Sequence, residues 1–584
     1  MIQGWVQIVV FLVVLTALTP LIGGYMARVF NGERVFLTPV VGPLERFTYR
    51  VLRVRPDTEQ DWKAYAISVV AFSLLSWLAL YLILRTQGIH PFNPQGFHSG
   101  TWDVSFNTTS SFVTNTNWQY YGGETTMTYF SQMAGLAVQN FASAAVGIAV
   151  LVALIRGIVA RTGKSLGNFW SDLTRIILYI LLPISIVGAL FLVSQGVIQT
   201  LSGYQTFHTL TGGTQTLALG PVASQEVIKE LGTNGGGFFN VNSAFPFENA
   251  NTLTNFFELL LILIIPAGLT YSFGRMIGNR RQGWAIFAAM MLMFIVAVAV
   301  VYTAEQHGSP AQHHAGLLTS AHHGTTGGNL EGKDQQFGIT NSTLWAAVTT
   351  VTSCGAVNSS FDAFTGIGGL VPLSNLSTGE VIFGGVGSGL YYMLLMILLT
   401  VFIAGLMVGR TPEFLGKKIE SREMKLVLIG VLVTPLAVLV ATSLGVATDY
   451  GRVSIYNHGP QGFSESLYAY MSQANNNGSA FAGYTGYLQP NAPGNVGAYG
   501  ITFADLLGGA TMLFARFLPM LAALATAGSL AGKKVAPIGA GTFRTDSPIF
   551  IALLIGVIVI VAALTFFPAF LLGPVVQSLT THLF

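Results

Sequence analysis

The residues best able to do chemistry in this 584-residue chain lie in four short polar stretches: Thr114-Asn115-Thr116-Asn117, Thr233-Asn234-Gly235-Gly236, Ser353-Cys354-Gly355 and Asn476-Asn477-Gly478. Their donors are neutral: hydroxyls, amides and main-chain carbonyls. Glycine takes positive φ without steric cost, so Gly235, Gly355 and Gly478 can let successive carbonyls turn toward one axis. The first stretch has no such glycine; Thr116 is read at that place, so a ring built from all four would be only approximately fourfold. Its hydroxyl and those of Thr114, Thr233 and Ser353 are further candidate ligands, and Asn115, Asn234 and Asn477 read as braces behind the ring. Taken singly, Asn-Gly marks a surface turn; four equivalently placed stretches favour a shared role instead. No ring of Asp or Glu accompanies them, which argues against calcium and for a monovalent cation stripped of water by carbonyls.

The elements that must position these stretches are apolar. The chain is 52% hydrophobic and 9% charged, with mean hydropathy +0.60, against about 25% charged in soluble domains. Runs long enough to cross a bilayer fall near 4–30, 64–86, 130–156, 172–197, 253–275, 284–303, 386–408, 424–446, 504–532 and 548–572. The expected class is therefore an all-α polytopic membrane protein with ten transmembrane helices. The first run lacks the basic leader and cleavage site of a secretory signal and reads as a retained span. Irregular backbone survives at membrane depth only where it is buried in protein or lines a watery cavity, so four irregular stretches point to one pore.

Basic residues alternate between the two sides. Five clusters, beginning at Arg28, Arg156, Arg275, Arg410 and Lys533, hold all of the 27 Lys and Arg except Arg85, Lys229, Lys333, Arg452 and Arg516. The excess of Lys and Arg in cytoplasmic loops then puts the clusters inside, the polar stretches toward the outside and both termini outside. Removing the outer two spans leaves four units of span, short pore helix, polar stretch and span, a repeat of hydropathy rather than of sequence. The expected divisions are 1–63 (first span and cytoplasmic basic segment), 64–157, 158–278, 279–409 and 410–534 (pore repeats one to four), and 535–584 (last span).

Several residues outside the stretches could also act. Arg516 lies within the ninth span and reads either as a functional charge or as a buried anchor. Gly405 and Gly409, followed by Arg410, have the spacing of close helix packing or of a weak point that gates the path inward. Cys354 reads as a small polarizable filler rather than a reactive thiol, and one cysteine excludes an intrachain disulfide framework. Gly157 to Ser165 resembles a phosphate loop but carries one residue too many. Outward residues 304–341, with His307, His313, His314, His322 and His323, and 484–500 read as polar coil, the histidines being a weaker transition-metal candidate. The basic segment 31–63 is expected to lie along the membrane surface. No Asp-Lys-Thr-Gly sequence and no loop with room for a nucleotide domain occur, so ATP hydrolysis would belong to a partner. Holding a cation 10⁴-fold concentrated inside costs roughly 5.5 kcal/mol, whereas 100 mV returns about 2.3, so uptake against such a gradient needs that partner.

Long blocks then resemble the potassium-binding, pore-forming component of bacterial Kdp potassium-transporting ATPases, the KdpA family: Ser111 to Trp118, Ser131 to Leu136, Gly220 to Glu226, Leu231 to Asn240, Phe247 to Asn249, Thr352 to Ala356, Phe383 to Tyr391, Gly405 to Lys418 and Ala474 to Gly483. The resemblance implies a ten-span bacterial inner-membrane protein of the K+ transporter superfamily, with four pseudo-symmetric membrane-pore-membrane repeats around one pore. It implies K+ as the transported ion held at the stretches above, no organic cofactor, and ATP used only by a P-type ATPase subunit (KdpB-like). A single-span subunit (KdpC-like) and a very small single-span peptide (KdpF-like) complete the implied complex, in contact with membrane lipid and with no nucleic acid. An intersubunit tunnel to the pump and a gating loop near Gly405 to Arg410 are implied as well. Residues 304–341 and 484–500 depart from the commoner family pattern. The competing readings are a stand-alone Trk- or Ktr-like channel or symporter, with eight core spans, and an organic-solute transporter, which would need inverted repeats.

Overall fold

The computed structural model describes residues 2–161, 163–321, 327–486, 494–536 and 544–581, with side chains of the penultimate span from Thr502 onward. Among them, ten helices are long and apolar enough to cross a membrane, and they fall on the ten apolar runs. They are α1 (Ile2–Phe30), α3 (Trp62–Thr86), α5 (Ser131–Val159), α6 (Phe169–Ser194), α8 (Thr252–Met276), α9 (Arg280–His307), α12 (Ser388–Val408), α13 (Ser421–Ala447), α15 (Gly494–Ala531) and α16 (Pro548–Phe570). Between them lie α2 (Thr38–Val51) in the basic segment, α11 (Gly366–Ser377) and four short helices. These four are α4 (Trp102–Val113), α7 (Val222–Leu231), α10 (Gly338–Val351) and α14 (Gly459–Ala474), each ending with at most one residue between it and a polar stretch. The strands among the described residues form two small hairpins, Gln205–His208 with Thr214–Leu217 and Glu413–Phe414 with Lys417–Lys418.

Burial differs widely among the spans. The apolar window of α5 is 89% buried and those of α8 and α12 are 72% buried, whereas α1 and α16 are 28% and α3 is 22% buried. A helix apolar all round must be surrounded either by protein or by lipid, and small residues decide which. Ala144, Ala145, Gly147, Ala149, Ala153 and Gly157 let neighbours close on α5. A Cβ at Gly157 would lie 2.7 Å from the Ala527 Cα of α15, so the start of the phosphate-loop look-alike is a helix-packing contact. Beneath α5 and α15, the buried Lys417 donates to the C-terminal carbonyls of Gly157 (2.9 Å) and Leu530 (2.6 Å), a cation placed where helix dipoles favour it.

The described parts of residues 304–341 are not a plain solvated coil. Ser309 caps a further helical turn, Pro310–His314. Lys333 Nζ meets Glu305 Oε2 at 2.8 Å, with both side chains fully buried. Asn329 Nδ2 donates to the same carboxylate at 2.8 Å. The coil expectation failed because its two charges, far apart in sequence, satisfy each other. His322 and His323 lie outside the described residues. Among the described residues no cluster of three or more His, Cys, Asp or Glu is arranged to hold a metal ion, and His313 Nε2 instead meets Thr319 Oγ1 at 2.8 Å and the His307 carbonyl at 3.0 Å.

Candidate functional site

Each short helix ends in the same backbone device. The amides of Thr116, Asn234, Cys354 and Asn477 donate back five residues, to the carbonyls of Ser111, Lys229, Thr349 and Ser472, at 2.9, 2.8, 3.0 and 2.8 Å. The residues on either side of that amide are left-handed in every case: Asn115 and Asn117 (φ +68° and +54°), Thr233 and Gly235 (+47° and +81°), Ser353 and Gly355 (+50° and +102°), Asn476 and Gly478 (+52° and +100°). Two left-handed residues around a central one form the alternation that can set successive carbonyls on one side of the chain.

This fixes the register of the first stretch and corrects the sequence reading. Thr116 corresponds to Asn234, and Asn117, not Thr116, stands where the others have glycine. Asparagine is among the few side chains that tolerate a left-handed backbone, so the missing glycine leaves the geometry intact. The threonine hydroxyls expected as ligands turn to protein instead. Thr114 Oγ1 donates to Ser110 O and sits 2.8 Å from Thr116 Oγ1, which also accepts from Asn476 Nδ2 at 2.8 Å. Thr233 Oγ1 donates to Gly232 O and accepts from Val386 N at 2.9 Å.

The four stretches meet one another in a closed circuit. Asn115 Nδ2 donates to Thr233 O at 2.8 Å, joining the first to the second. A Cβ on Gly235 would overlap the Cys354 carbonyl, one on Gly355 would lie 2.9 Å from the carbonyl carbon of Asn477, and one on Gly478 would overlap the Thr116 carbonyl. A cavity of about 590 Å³ touches all four equivalent positions, Asn117, Gly235, Gly355 and Gly478.

Amide braces surround the circuit. Asn234 Nδ2 donates to Asn115 Oδ1 at 2.6 Å, and Asn477 Nδ2 to Thr349 O at 2.9 Å. Behind the second stretch stands a group that the sequence reading passed over. Lys229 Nζ is fully buried against Glu226 Oε2 (2.7 Å) and Glu248 Oε2 (2.6 Å), and donates to Asn242 Oδ1 at 2.9 Å. Asn242 Nδ2 in turn donates to the Gly235 carbonyl, and Glu248 Oε1 accepts from Phe239 N at 2.8 Å. Burial works against the Lys229 ammonium, but the carboxylates of Glu226, Glu248 and Glu230 more than offset it and raise its pKa. Cys354 Sγ donates to Glu230 Oε2 at 3.3 Å. Burial first, and then that carboxylate, push its thiol well above the ordinary range, so it is held protonated and inert.

Arg516 is buried and paired: Nη1 lies 3.2 Å from Glu380 Oε1. Glu380 also accepts from Ser388 Oγ and Gly385 N, and Val386 next in the chain donates to Thr233. The arginine thus ties α15 to the segment that supports the second stretch. Gly405, Gly409 and Arg410 sit at the C-terminal end of α12. The helix stops at Val408, with Gly409 left-handed in the capping position. A Cβ on Gly409 would meet nothing within 4 Å, and one on Gly405 would face Pro412 of its own chain. Close packing against another helix therefore does not explain this glycine pair; Leu406, Met407, Val408 and Arg410 are exposed.

Comparison with known proteins gives a consistent result. Residues 9–579 match the family model described as potassium-transporting ATPase A subunit, KdpA. A protein of Mesorhizobium japonicum is 53% identical over 577 residues, covering 99% of this chain and 98% of the relative. One of Granulibacter bethesdensis is 52% identical over 577 residues, with the same coverage. One of Sorangium cellulosum is 52% identical over 586 residues, covering 99% of both. All three carry the name potassium-transporting ATPase potassium-binding subunit. This chain is a member of the KdpA family of potassium-transporting ATPases.

Proposed function

We propose that this chain is the non-catalytic, potassium-binding subunit of an ATP-driven K+ uptake complex, and that its four polar stretches form the selectivity filter. K+ enters from the extracellular or periplasmic side through the cavity above Asn117, Gly235, Gly355 and Gly478. Main-chain carbonyls of the four stretches, Thr114 to Asn117, Thr233 to Gly235, Ser353 to Gly355 and Asn476 to Gly478, replace its water. The observation that carries this reading is the closed circuit of four backbone-equivalent polar stretches, hereafter the four filter strands although none is a β-strand, under one cavity. No carboxylate belongs to the strands, so coordination is by neutral oxygens and selection is by the dimensions and number of those oxygens.

The chain divides into four membrane-pore-membrane repeats at 64–157, 158–278, 279–409 and 410–534, between a first and a last span. It lies in the bacterial inner membrane with both termini outside and its basic clusters in the cytoplasm. From the filter K+ passes to a P-type ATPase partner (KdpB-like), which hydrolyses ATP. The small KdpF-like peptide and the single-span KdpC-like protein complete the assembly. The helix end at Gly405, Gly409 and Arg410 is the gate, since an abrupt capped terminus can unwind or extend with little loss of packing. Arg516 acts as an anchor through Glu380. The family match over the whole chain, and the two spans beyond an eight-span core, favour this over a stand-alone Trk- or Ktr-like channel or symporter.

The test is K+ binding and uptake by the complex carrying Gly235→Asp or Gly478→Asp. Each adds a Cβ and a carboxylate where the neighbouring strand's carbonyl already sits, and both are expected to weaken K+ binding by about tenfold or more and to lower discrimination against Na+. Affinity and selectivity unchanged in both variants would sink the filter assignment.

A further inference from the structure

Beside the circuit, between α4, α14 and α15, lies a set of buried side-chain oxygens that accept no hydrogen bond from the protein. Asp505 of α15 is 1% exposed, and neither of its carboxylate oxygens has a hydrogen-bond partner. Asn107 of α4 is fully buried and donates its Nδ2 to the Asp505 carbonyl at 2.9 Å, leaving Oδ1 without a partner. Gln473 of α14 is also fully buried. It donates Nε2 to Tyr120 OH at 3.2 Å and leaves Oε1 without a partner.

These groups share one place. Gly508 stands three residues after Asp505, on the same face of α15. A Cβ on Gly508 would lie 2.8 Å from Gln473 Oε1 and 3.0 Å from Asn107 Nδ2, so glycine is what lets both amides approach. The phenols of Tyr120 and Tyr484 are raised chiefly by burial, and the Asp505 charge adds to this. The other charge that acts on Asp505 is a second acid, Asp103, which accepts from Thr502. Among the described residues no Lys or Arg forms an ion pair with Asp505. Tyr120 and Tyr484 also line the cavity above the four strands, so the set lies just behind the cavity wall.

We infer that Asp505, Asn107 and Gln473 form a second monovalent-cation site, separate from the four-strand circuit and entered from the same outer cavity. A buried carboxylate must be neutralised, and every free atom in the set is an acceptor. A proton on Asp505 would provide one donor and leave the other oxygens unmatched. A monovalent ion beside the carboxylate cancels the single negative charge and takes free amide oxygens as further ligands. Divalent ions fit poorly, since they are held by several carboxylates or by near-complete oxygen shells. The site goes beyond the filter proposal and does not depend on it, because its ligands belong to none of the four strands.

The test uses Tl+ as a heavy stand-in for an alkali ion in the complete complex. The wild type is expected to show anomalous density beside the Asp505 carboxylate, and equilibrium binding is expected to fall by about one ion per complex in Asp505→Asn. The same loss is expected when Asp505→Asn is added to Gly235→Asp, whose effect is on the circuit. Wild-type density absent at Asp505, together with unchanged stoichiometry in Asp505→Asn, would overturn the inference in favour of water or a proton. If Asp505→Asn does not assemble, the wild-type density decides alone, with Gln473→Leu as the second variant. Failure of the filter proposal would read differently, as density among the four strands that Gly235→Asp leaves untouched.

Discussion

The second and fourth strands reach the same backbone shape by opposite chemistry. Six residues before each equivalent position stand Ser111, Lys229, Thr349 and Ser472. In the third and fourth strands this residue is a hydroxyl that accepts the glycine amide, Gly355 N to Thr349 Oγ1 and Gly478 N to Ser472 Oγ, each at 2.9 Å. In the second strand it is a lysine. Its ammonium works from behind through Asn242 to the Gly235 carbonyl, surrounded by Glu226, Glu230 and Glu248. Backbone geometry can thus be kept while the supporting side chains diverge, which explains why the units share so little sequence.

The comparison breaks most sharply at Lys229. Lys229→Met leaves Glu226 and Glu248 buried without their cation, and breaking a buried pair from one side costs about 3–5 kcal/mol. The complex carrying it is expected to melt lower or fail to assemble, with K+ affinity falling alongside. Adding Glu226→Gln and Glu248→Gln removes the two stranded charges that lie closest, leaving Glu230 at 3.7 Å, and should recover part of the stability, because neutral replacement of a buried ionic group is often nearly free. Thermal melting of the single and triple variants is the measurement. A single variant as stable as wild type would mean that the lysine is not the support of the second strand.

A milder effect is expected at the hydroxyl positions. Thr349→Val strands the buried Gly355 amide, worth about 1–3 kcal/mol, and Ser472→Ala strands the partly buried Gly478 amide at a smaller cost. If the hydroxyls hold the strands in register, these variants should also reduce discrimination between K+ and Rb+, which a loss of global stability alone would leave unchanged. Rb+ and K+ competition for binding separates the two outcomes. Equal ratios in wild type and variants would show that the hydroxyls only stabilise.

The difference between these regions also explains what could be read from sequence. The ten spans and the four short helices were legible, because apolar runs of span length and polar interruptions are composition, and the structure has both in the expected places. The register of the first strand was not legible, because glycine is the plainest sequence marker of a left-handed residue, whereas here Asn117 holds φ +54°. Lys229 looked like a stray cation in an outward segment. One of its partners, Glu248, lies 19 residues away, and nothing in a linear pattern joins them. Glu305 and Lys333 misled in the same way. Packing distance, not residue type, was the missing information at each of these places.

The smallest expected effect concerns the acid carried by the fourth short helix. Glu226 of α7 faces a lysine, but Glu465 of α14, seven residues before Ser472, faces another acid, Asp362. Gln461 Nε2 donates to Asp362 Oδ1 at 2.6 Å, and Asn457 Nδ2 reaches Asp362 and Glu465 alike. Burial first, and then the Asp362 charge, push the Glu465 carboxyl up to about 7 from an ordinary 4.5. A carboxyl raised on folding takes up its proton more readily in the folded chain than in the unfolded one. Its contribution is therefore complete below about pH 4.5 and is lost as pH rises through about 7. The junction between residues 357–365 and α14 should loosen over that window, read as faster amide exchange at residues 457–465. Glu465→Gln keeps the hydrogen-bonding shape without the charge, so exchange there should become independent of pH after correction for the intrinsic rate. A wild-type junction whose corrected exchange is already flat across the window would mean that the two acids do not share a proton. The fourth strand's support would then be insensitive to pH from its hydroxyls outward.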